Sequence, residues 1–368
     1  MHKKSIVFAY LSAFSFTGGL EKCNRNLLSI LQEITLLNSG SLKAISSHDN
    51  KVDEQYLAAK NFKGFKGKRV PFLLHAIYTA FKSDVLIIGH INLAILGVVI
   101  NFISKKTKII VMAHGIEIWG NNQGIKKFLL KNCHQILCVS NYTKQQLLKN
   151  NNFINADKVK VIYNCLDKYI EPPVVLTQKK YVFERHLIPQ NAVVLITVSR
   201  LSSAERYKGY TTVINALPLL LEKKLQVHYL ICGKADEEEK KYVTALINEK
   251  KLQQQVTLVG FVAENELKDY YAAAEIFIMP STGEGFGISL IEAAYFGKKV
   301  IAGNMDGSVD ALQNGKFGKL VNPYQIQEIA EAITTYISEP SPNINLQNDV
   351  YQTFCYKTYK KRIEEILC

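Results

Sequence analysis

The sequence has no Cys-x-x-Cys pair and no zinc-ligand spacing. Its seven cysteines (23, 133, 138, 165, 232, 355 and 368) are odd in number and scattered, as expected of reduced thiols in a cytosolic protein rather than of a disulfide framework. No Asp-x-Asp occurs, and no His/Asp cluster has metal spacing. Gly18-Gly19 is not the G-x-G-x-x-G dinucleotide fingerprint, and no acidic residue follows a second strand at the distance a nicotinamide site requires. The lysines are dispersed and aromatics are not interleaved with basic patches, so no nucleic-acid module is expected. There is no internal repeat and no low-complexity segment. The longest apolar stretch, 85–103, approaches the length of a membrane span, but His90, Asn92, Asn101 and two glycines interrupt it. A buried strand over 85–88 followed by a buried helix is the expected reading. "MHKKSIVFAYLSAFSF" looks like a secretory leader, with basic residues ahead of an apolar run. No clear small-x-small cleavage site follows, and the run leads into a glycine loop, so a first strand is expected.

What is present is ordinary globular composition, 48% apolar and 21% charged, with an unusual net charge of +13. That balance suits phosphorylated ligands, a polyanion or an anionic membrane surface. At 368 residues the chain is too long for one ordinary core and suits two domains. Continuously apolar runs at 5–10, 85–89, 108–113, 135–139 and 159–163 read as strands, as do 193–199, 227–232, 256–259, 275–279 and 299–302. Helical patterns lie between them, at 20–35, 123–133, 210–223, 237–250, 265–273 and 287–296. Alternation of this kind predicts parallel sheets covered on both faces, with about five strands in each half. The pattern pauses at "LDKYIEPPVVLTQKK" (166–180), where Pro-Pro stops any regular element, and the domain linker is placed there. The charge run 234–252 reads as a solvated helix face.

The stretch "PSTGEGFGISLIEAAYFGKKVIAG" (280–303) carries the strongest chemical signal. Pro280 ends a buried strand, residues 281–285 form a loop at its carboxyl end, and a helix starts near Phe286 or Gly287. Gly297 is a suitable residue to close that helix. Open α/β sheets bind ligands at this edge, and a helix N-terminus favours phosphate. Gly285, Phe286 and Gly287 form a turn that lets a ligand approach the backbone. Glu292 lies in an otherwise apolar helix, so its carboxylate needs donors. It sits five residues into the helix, roughly 8 Å along the axis, where the ribose of a nucleoside diphosphate would fall if the phosphates met the helix start. Glu284, in the loop, could reach hydroxyls at the far end of the diphosphate. The bland alternatives are a helix-dipole partner for Glu284 and an internal lysine for Glu292.

Glu284-x7-Glu292, opened by "EGFG", resembles the signature of the retaining GT-B glycosyltransferases of family 4. The resemblance continues in order along nearly the whole chain: "TGGLEKCNRNLL" (17–28), "AHGIEIW" (113–119), "VSNYTKQQL" (139–147), "VIYNCLD" (161–167), "VSRLSSAERYKGY" (198–210), and "AGNMDGSVDAL" with "NGKFGKLVNP" after the signature. Arg200 follows an apolar strand, and Lys208 lies eight residues on. A guanidinium fork plus an ammonium suits a departing diphosphate. The family commonly spaces this pair five apart, and here Arg206 intervenes, so either Lys208 or Arg206 could complete it; the "YKG" run into the next helix favours Lys208. His114 ends the strand "IIVMA". The resemblance implies that it contacts the transferred sugar, with Glu117 and Trp119 shaping the same wall. It also implies that Gly18 and Gly19 lie near the donor phosphates and the acceptor. Phe261 and Glu284 are placed where base and sugar would be distinguished.

Taken together these readings predict an α/β GT-B fold. Two Rossmann-like doubly wound parallel-sheet domains face across a cleft: 1–170 for the acceptor, 176–350 for the nucleotide sugar, and a last helix, 351–368, crossing back to the first. The implied activity moves a hexose from a UDP- or GDP-linked sugar to a hydroxyl of a glycan or lipid-linked acceptor, as in polysaccharide biosynthesis. The anomeric configuration is retained by front-face substitution, and the nucleotide sugar is a substrate, with no metal or other cofactor. A non-catalytic sugar-nucleotide sensor and a nucleotide-sugar epimerase on the same fold are the rival readings. A cytoplasmic location is expected, with an anionic membrane surface as a further partner at the inner face of the plasma membrane.

Overall fold

The computed structural model describes residues 3–171, 179–340 and 344–367. The chain divides into two compact units: residues up to Lys168 together with those from Cys355 onward, and Tyr169–Phe354. Most of the Pro-Pro stretch expected as the linker, 172–178, lies outside the described residues.

The first unit is built on β1 (Ser5–Tyr10), β2 (Ser41–Ser46), β3 (Phe62–Gly64), β4 (Val85–Ile88), β5 (Lys108–Ala113), β6 (Gln135–Cys138) and β7 (Val159–Val161). All pair in parallel, in the order β3-β2-β1-β4-β5-β6-β7. Strand order reverses between β1 and β4, where Ile6 stands opposite Val85. The strands are buried because helices cover both faces. Leu27, Leu28 and Leu31 of the Gly19–Leu37 helix pack on one side, and Phe72, Leu96 and Leu129 of three others on the opposite side. The 85–103 stretch forms β4 and then the Ala94–Ile103 helix, so its apolar character serves sheet and helix burial. No described helix is long and apolar enough to cross a membrane.

The second unit has β8 (Val193–Val198), β9 (Val227–Cys232), β10 (Val256–Gly260), β11 (Ile276–Met279), β12 (Lys299–Gly303) and β13 (Lys319–Val321). They are parallel, in the order β10-β9-β8-β11-β12-β13. This is a doubly wound order whose reversal falls between β8 and β11, and such a point opens a crevice at the carboxyl ends of the strands.

Two expectations about elements need correction. Among the described residues, seven and six strands replace about five per half, because β2, β3 and β13 were missed. The last two are three residues long, and "SLKAIS" of β2 exposes Ser41 and Lys43 on one side, so none reads as a continuous apolar run. The last helix is also two helices. Ile344–Phe354 stays in the second unit, and Tyr356–Leu367 joins the first, packing Tyr359, Ile363 and Leu367 into the core beside Leu27 and Leu31.

Glu33 fixes that return. It accepts hydrogen bonds from Lys360 (2.7 Å), Lys168 (2.9 Å) and the Tyr356 hydroxyl (2.9 Å). Burial alone would raise its pKa, but these three donors outweigh that and hold it at about 2.

Candidate functional site

In the second unit, β11 ends at Met279 and the loop from Pro280 leads to Gly287, the N-cap of the Ile288–Tyr295 helix. Gly287 has φ +91°, a left-handed conformation that glycine adopts without a Cβ penalty. The helix ends in a Schellman closure. Lys298 N–H donates to the Ala293 carbonyl (2.9 Å) and Gly297 N–H to that of Ala294 (3.0 Å), with Gly297 at φ +72°. Glu292 is the one carboxylate on this buried helix and is itself buried, beside the fully buried Tyr271. Burial and the Glu292 charge push the Tyr271 phenol well above its ordinary range.

The loop is clasped from two sides. Thr282 N–H donates to the Tyr207 carbonyl (2.9 Å), and Gly307 N–H to the Glu284 carbonyl (2.8 Å). Asp306, fully buried, accepts from Ser281 Oγ (2.6 Å), Glu284 N–H (2.7 Å) and Ser308 N–H (2.9 Å). Burial raises its pKa to about 6 in spite of those donors. The segments meet at glycines: a Cβ on Gly209 would stand 2.2 Å from the Pro280 carbonyl oxygen, and one on Gly307 2.1 Å from that of Gly285. Gly285 and Phe286 therefore lie in a rigid turn, with Phe286 buried edge-on against Phe354.

Lys208 donates to the Glu284 carboxylate, both side chains being largely shielded. Burial works against the ammonium, but the Glu284 charge and the nearby Tyr207 more than offset it, and the pKa rises. Arg200, two residues past β8, is exposed and donates through its guanidinium to Glu205. Arg206 points elsewhere. Its Nε donates to Glu239 (2.7 Å), and its guanidinium lies 3.9 Å from the centre of the Tyr242 ring. Of the two candidates for the second cation, then, Lys208 stands at Glu284 and Arg206 is committed to the Glu237–Glu249 helix.

That helix corrects another expectation. The 234–252 charge run is not only a solvated face: Glu239 is fully buried and accepts from Tyr210 Oη (2.8 Å) as well as Arg206. Asp236 caps the helix through Glu239 N–H (2.7 Å) and also accepts from Ser203 N–H (3.1 Å). The long Arg200–Lys208 spacing is thereby docked on a neighbouring helix start. Phe261 directly follows β10 and is exposed at the same carboxyl edge of the sheet.

In the first unit, His114 directly follows β5. Its Nε2 faces the Gly89 carbonyl at 2.8 Å, and because a carbonyl only accepts, Nε2 carries the proton. Glu117 accepts from the His114 N–H (2.7 Å) and the Gly115 N–H (3.2 Å). The His90 ring stacks on His114 with centroids 6.5 Å apart. Burial lowers the pKa of both imidazoles, that of His90 to about 4. Trp119 turns toward the next helix, donating to Thr143 Oγ1 (3.1 Å). Gly18 and Gly19 are the N-cap and first residue of the Gly19–Leu37 helix.

Asp49, just beyond β2, orders the residues leading to that helix. It accepts from Ser12 Oγ (3.0 Å) and from the N–H groups of Ala13 (2.8 Å), Phe14 (3.1 Å) and Ser15 (2.8 Å). Sequence reading missed Asp49, Asp306 and Glu239, whose partners are distant in sequence, and Glu205, whose partner Arg200 is only five residues away but was read as a ligand contact rather than as half of an ion pair. The blocks "AGNMDGSVDAL" and "VSRLSSAERYKGY" contained two of them.

A pair of parallel α/β units, with basic and acidic side chains gathered at the switch point of the second, defines a GT-B fold. HepE of Anabaena, crystallised in complex with UDP-glucose, shares that fold with TM-score 0.78 at 20% identity, over 99% of each chain. At the sequence level the profile of "Glycosyl transferases group 1" matches residues 178–353, and that of "Glycosyltransferase Family 4" matches 49–168. The chain belongs to this group 1/family 4 set of GT-B glycosyltransferases.

Among curated relatives, an uncharacterised glycosyltransferase of Methanocaldococcus jannaschii is 27% identical over 62% of this chain and 58% of its own length. The GDP-mannose-dependent alpha-(1-6)-phosphatidylinositol monomannoside mannosyltransferase of Mycobacterium tuberculosis is 31% identical over 37% of each. The chain thus spans less than two thirds of the length of these relatives.

Proposed function

We propose that this chain transfers a hexose from a UDP- or GDP-linked sugar to a hydroxyl of a glycan or lipid-linked acceptor, with the anomeric configuration retained. The observation that carries the proposal is the ordered set at the β8/β11 switch point. Arg200 follows one strand, the Lys208–Glu284 pair bridges to the loop after the other, and Glu292 is buried five residues inside the helix that follows. On this reading Arg200, Lys208 and the helix start receive the diphosphate, whose charge grows as the sugar leaves. Glu292 holds the ribose diol in bidentate fashion. Lys208 fixes the orientation of Glu284 toward the sugar hydroxyls. Phe261 stands on the side where the base would lie, and His114 contributes to the sugar from the first unit, with the Gly18-Gly19 loop near the phosphates and acceptor. The leaving phosphate takes the acceptor proton on the front face, and no metal is required. The likeness to HepE, crystallised with UDP-glucose, supports a nucleotide-sugar donor, and the mannosyltransferase similarity keeps GDP-linked donors open.

The test is a panel of nucleotide sugars screened for protection against thermal unfolding, followed by product analysis with glycan and lipid-linked acceptors. Acceptor-dependent release of nucleoside diphosphate, with a new glycosidic bond of unchanged anomeric configuration, is expected. Epimerised donor without acceptor, or binding without any product, overturns the proposal.

A further inference from the structure

One face of the first unit combines a layer of exposed apolar side chains with an almost unopposed positive charge. The Arg69–Ala80, Ala94–Ile103 and Gly124–Asn132 helices lie side by side on one side of the first sheet. The first turns a stripe outward: Val70 (68% exposed), Leu74 (65%) and Tyr78 (65%), continued by Phe81 just past its end. These positions recur about four apart, which keeps them on one helix face. The second presents Ile95, Phe102 (63% exposed) and Ile103 in the same manner, and the third presents Ile125. Phe102 stacks on Phe128 of the third helix with ring centroids 5.2 Å apart, which joins the apolar surfaces of the second and third helices, and the first helix packs beside the second.

Charge surrounds this layer. Between Gln55 and Ala156 the sequence holds fourteen lysine or arginine residues and two carboxylates, Asp84 and Glu117. This stretch therefore carries nearly all of the +13 net charge. Lys66, Lys68 and Arg69 stand at the start of the first helix and Lys82 at its end, while Lys105 and Lys106 follow the second. Both carboxylates are engaged locally, Asp84 by Ser5 (2.8 and 2.9 Å) and Glu117 by the His114 N–H (2.7 Å). Contiguous apolar surface on this scale marks an interaction site. An apolar helix face ringed by basic side chains fits the boundary between headgroups and acyl chains of an anionic bilayer.

We propose that these three helices dock the protein peripherally on an anionic phospholipid surface, the apolar stripes entering the interface while the lysines and Arg69 meet the headgroups. The proposal stands apart from the transfer reaction, and its test needs no activity. The full chain is sedimented with vesicles of phosphatidylcholine alone and of phosphatidylcholine mixed with phosphatidylglycerol. Three proteins are compared: wild type, Leu74→Ser/Phe102→Ser, and Lys66→Ser/Lys68→Ser/Lys106→Ser. All five substituted side chains are at the surface, and unchanged thermal midpoints check that the variants fold. The expected result is binding to the mixed vesicles only, weakened by salt and reduced roughly tenfold or more in each variant. Three results overturn it: equal partitioning to neutral and mixed vesicles, undiminished binding by the apolar double variant, or no vesicle binding together with a dimer in sedimentation velocity that the double variant dissociates. The last assigns the face to a second copy of this chain.

Discussion

Lys208 and Glu284, 76 residues apart in sequence, form a shielded ion pair that ties the segment after β8 to the loop after β11. The pair spans the switch point of the second sheet, and each partner loses its counter-charge if the other is truncated. Lys208→Ala leaves a largely buried carboxylate in the loop, and Glu284→Ala leaves a nearly buried ammonium. Each substitution is expected to lower the thermal midpoint, at a cost of about 1–3 kcal/mol. The double variant is expected to cost less than the sum, and a double-mutant cycle by chemical denaturation measures the coupling. Strict additivity would remove the pair from the architecture of the site.

Glu292→Ala tests the diol assignment. Removing two charge-assisted hydrogen bonds is expected to cost about 2–4 kcal/mol of transition-state stabilisation and to weaken nucleotide binding as well. Calorimetry with the free nucleoside diphosphate is the check. Unchanged affinity sinks the ribose role of Glu292, whatever happens to turnover.

His114 belongs to the first unit, and Arg200 to the second. His114→Ala is expected to bind nucleoside diphosphate nearly as wild type does while losing most of its transfer rate, because an interaction made chiefly in the reacting complex lowers turnover more than ground-state affinity. Arg200→Ala is expected to lose both. Equal loss of affinity in the two variants contradicts the division of donor and acceptor roles between the units.

With fixed cations proposed to carry the diphosphate charge, turnover is expected to survive excess chelator. Complete loss of activity in chelator, restored by magnesium or manganese, refutes the assignment of that charge to Arg200 and Lys208.

Glu33 makes the fold sensitive to acid. Its pKa is depressed in the folded protein to about 2 from an ordinary 4.5, so it stabilises the fold fully above pH 4.5, and that contribution is lost as pH falls toward 2. Glu33→Gln should be less stable than wild type at neutral pH, and the difference should narrow through this acid window. Thermal midpoints of the two proteins against pH measure it; a constant gap is evidence against the ionic role of Glu33.

Much of this was legible in sequence because buried parallel strands leave continuous apolar runs. β1, β4, β5, β8, β9 and β11 were all visible in that way. β3 and β13 were not, since each spans three residues including a lysine and no apolar run continues it, whereas β7, equally short, runs on into Ile162. The Glu292 helix and its Gly297 closure could be read from local composition and helix-end chemistry alone. Asp306 could not: what marks it is burial among Ser281, Glu284 and Ser308, which only folding brings about. Glu239 was misread for the related reason that a charge run on a helix says nothing about which of its members turns inward. Arg206 and Lys208 were indistinguishable by spacing and became distinct through their partners.

The first unit is discontinuous along the chain, whereas the second is a single stretch. During synthesis the Tyr356–Leu367 helix leaves the ribosome only after every residue of the second unit has been made. Until then the core around Leu27 and Leu31 lacks Tyr359, Ile363 and Leu367, and Glu33 lacks two of its three donors, Tyr356 and Lys360. The last contacts of the first unit's core, and two of the three bonds to Glu33, can therefore form only once the whole of the second unit has been synthesised.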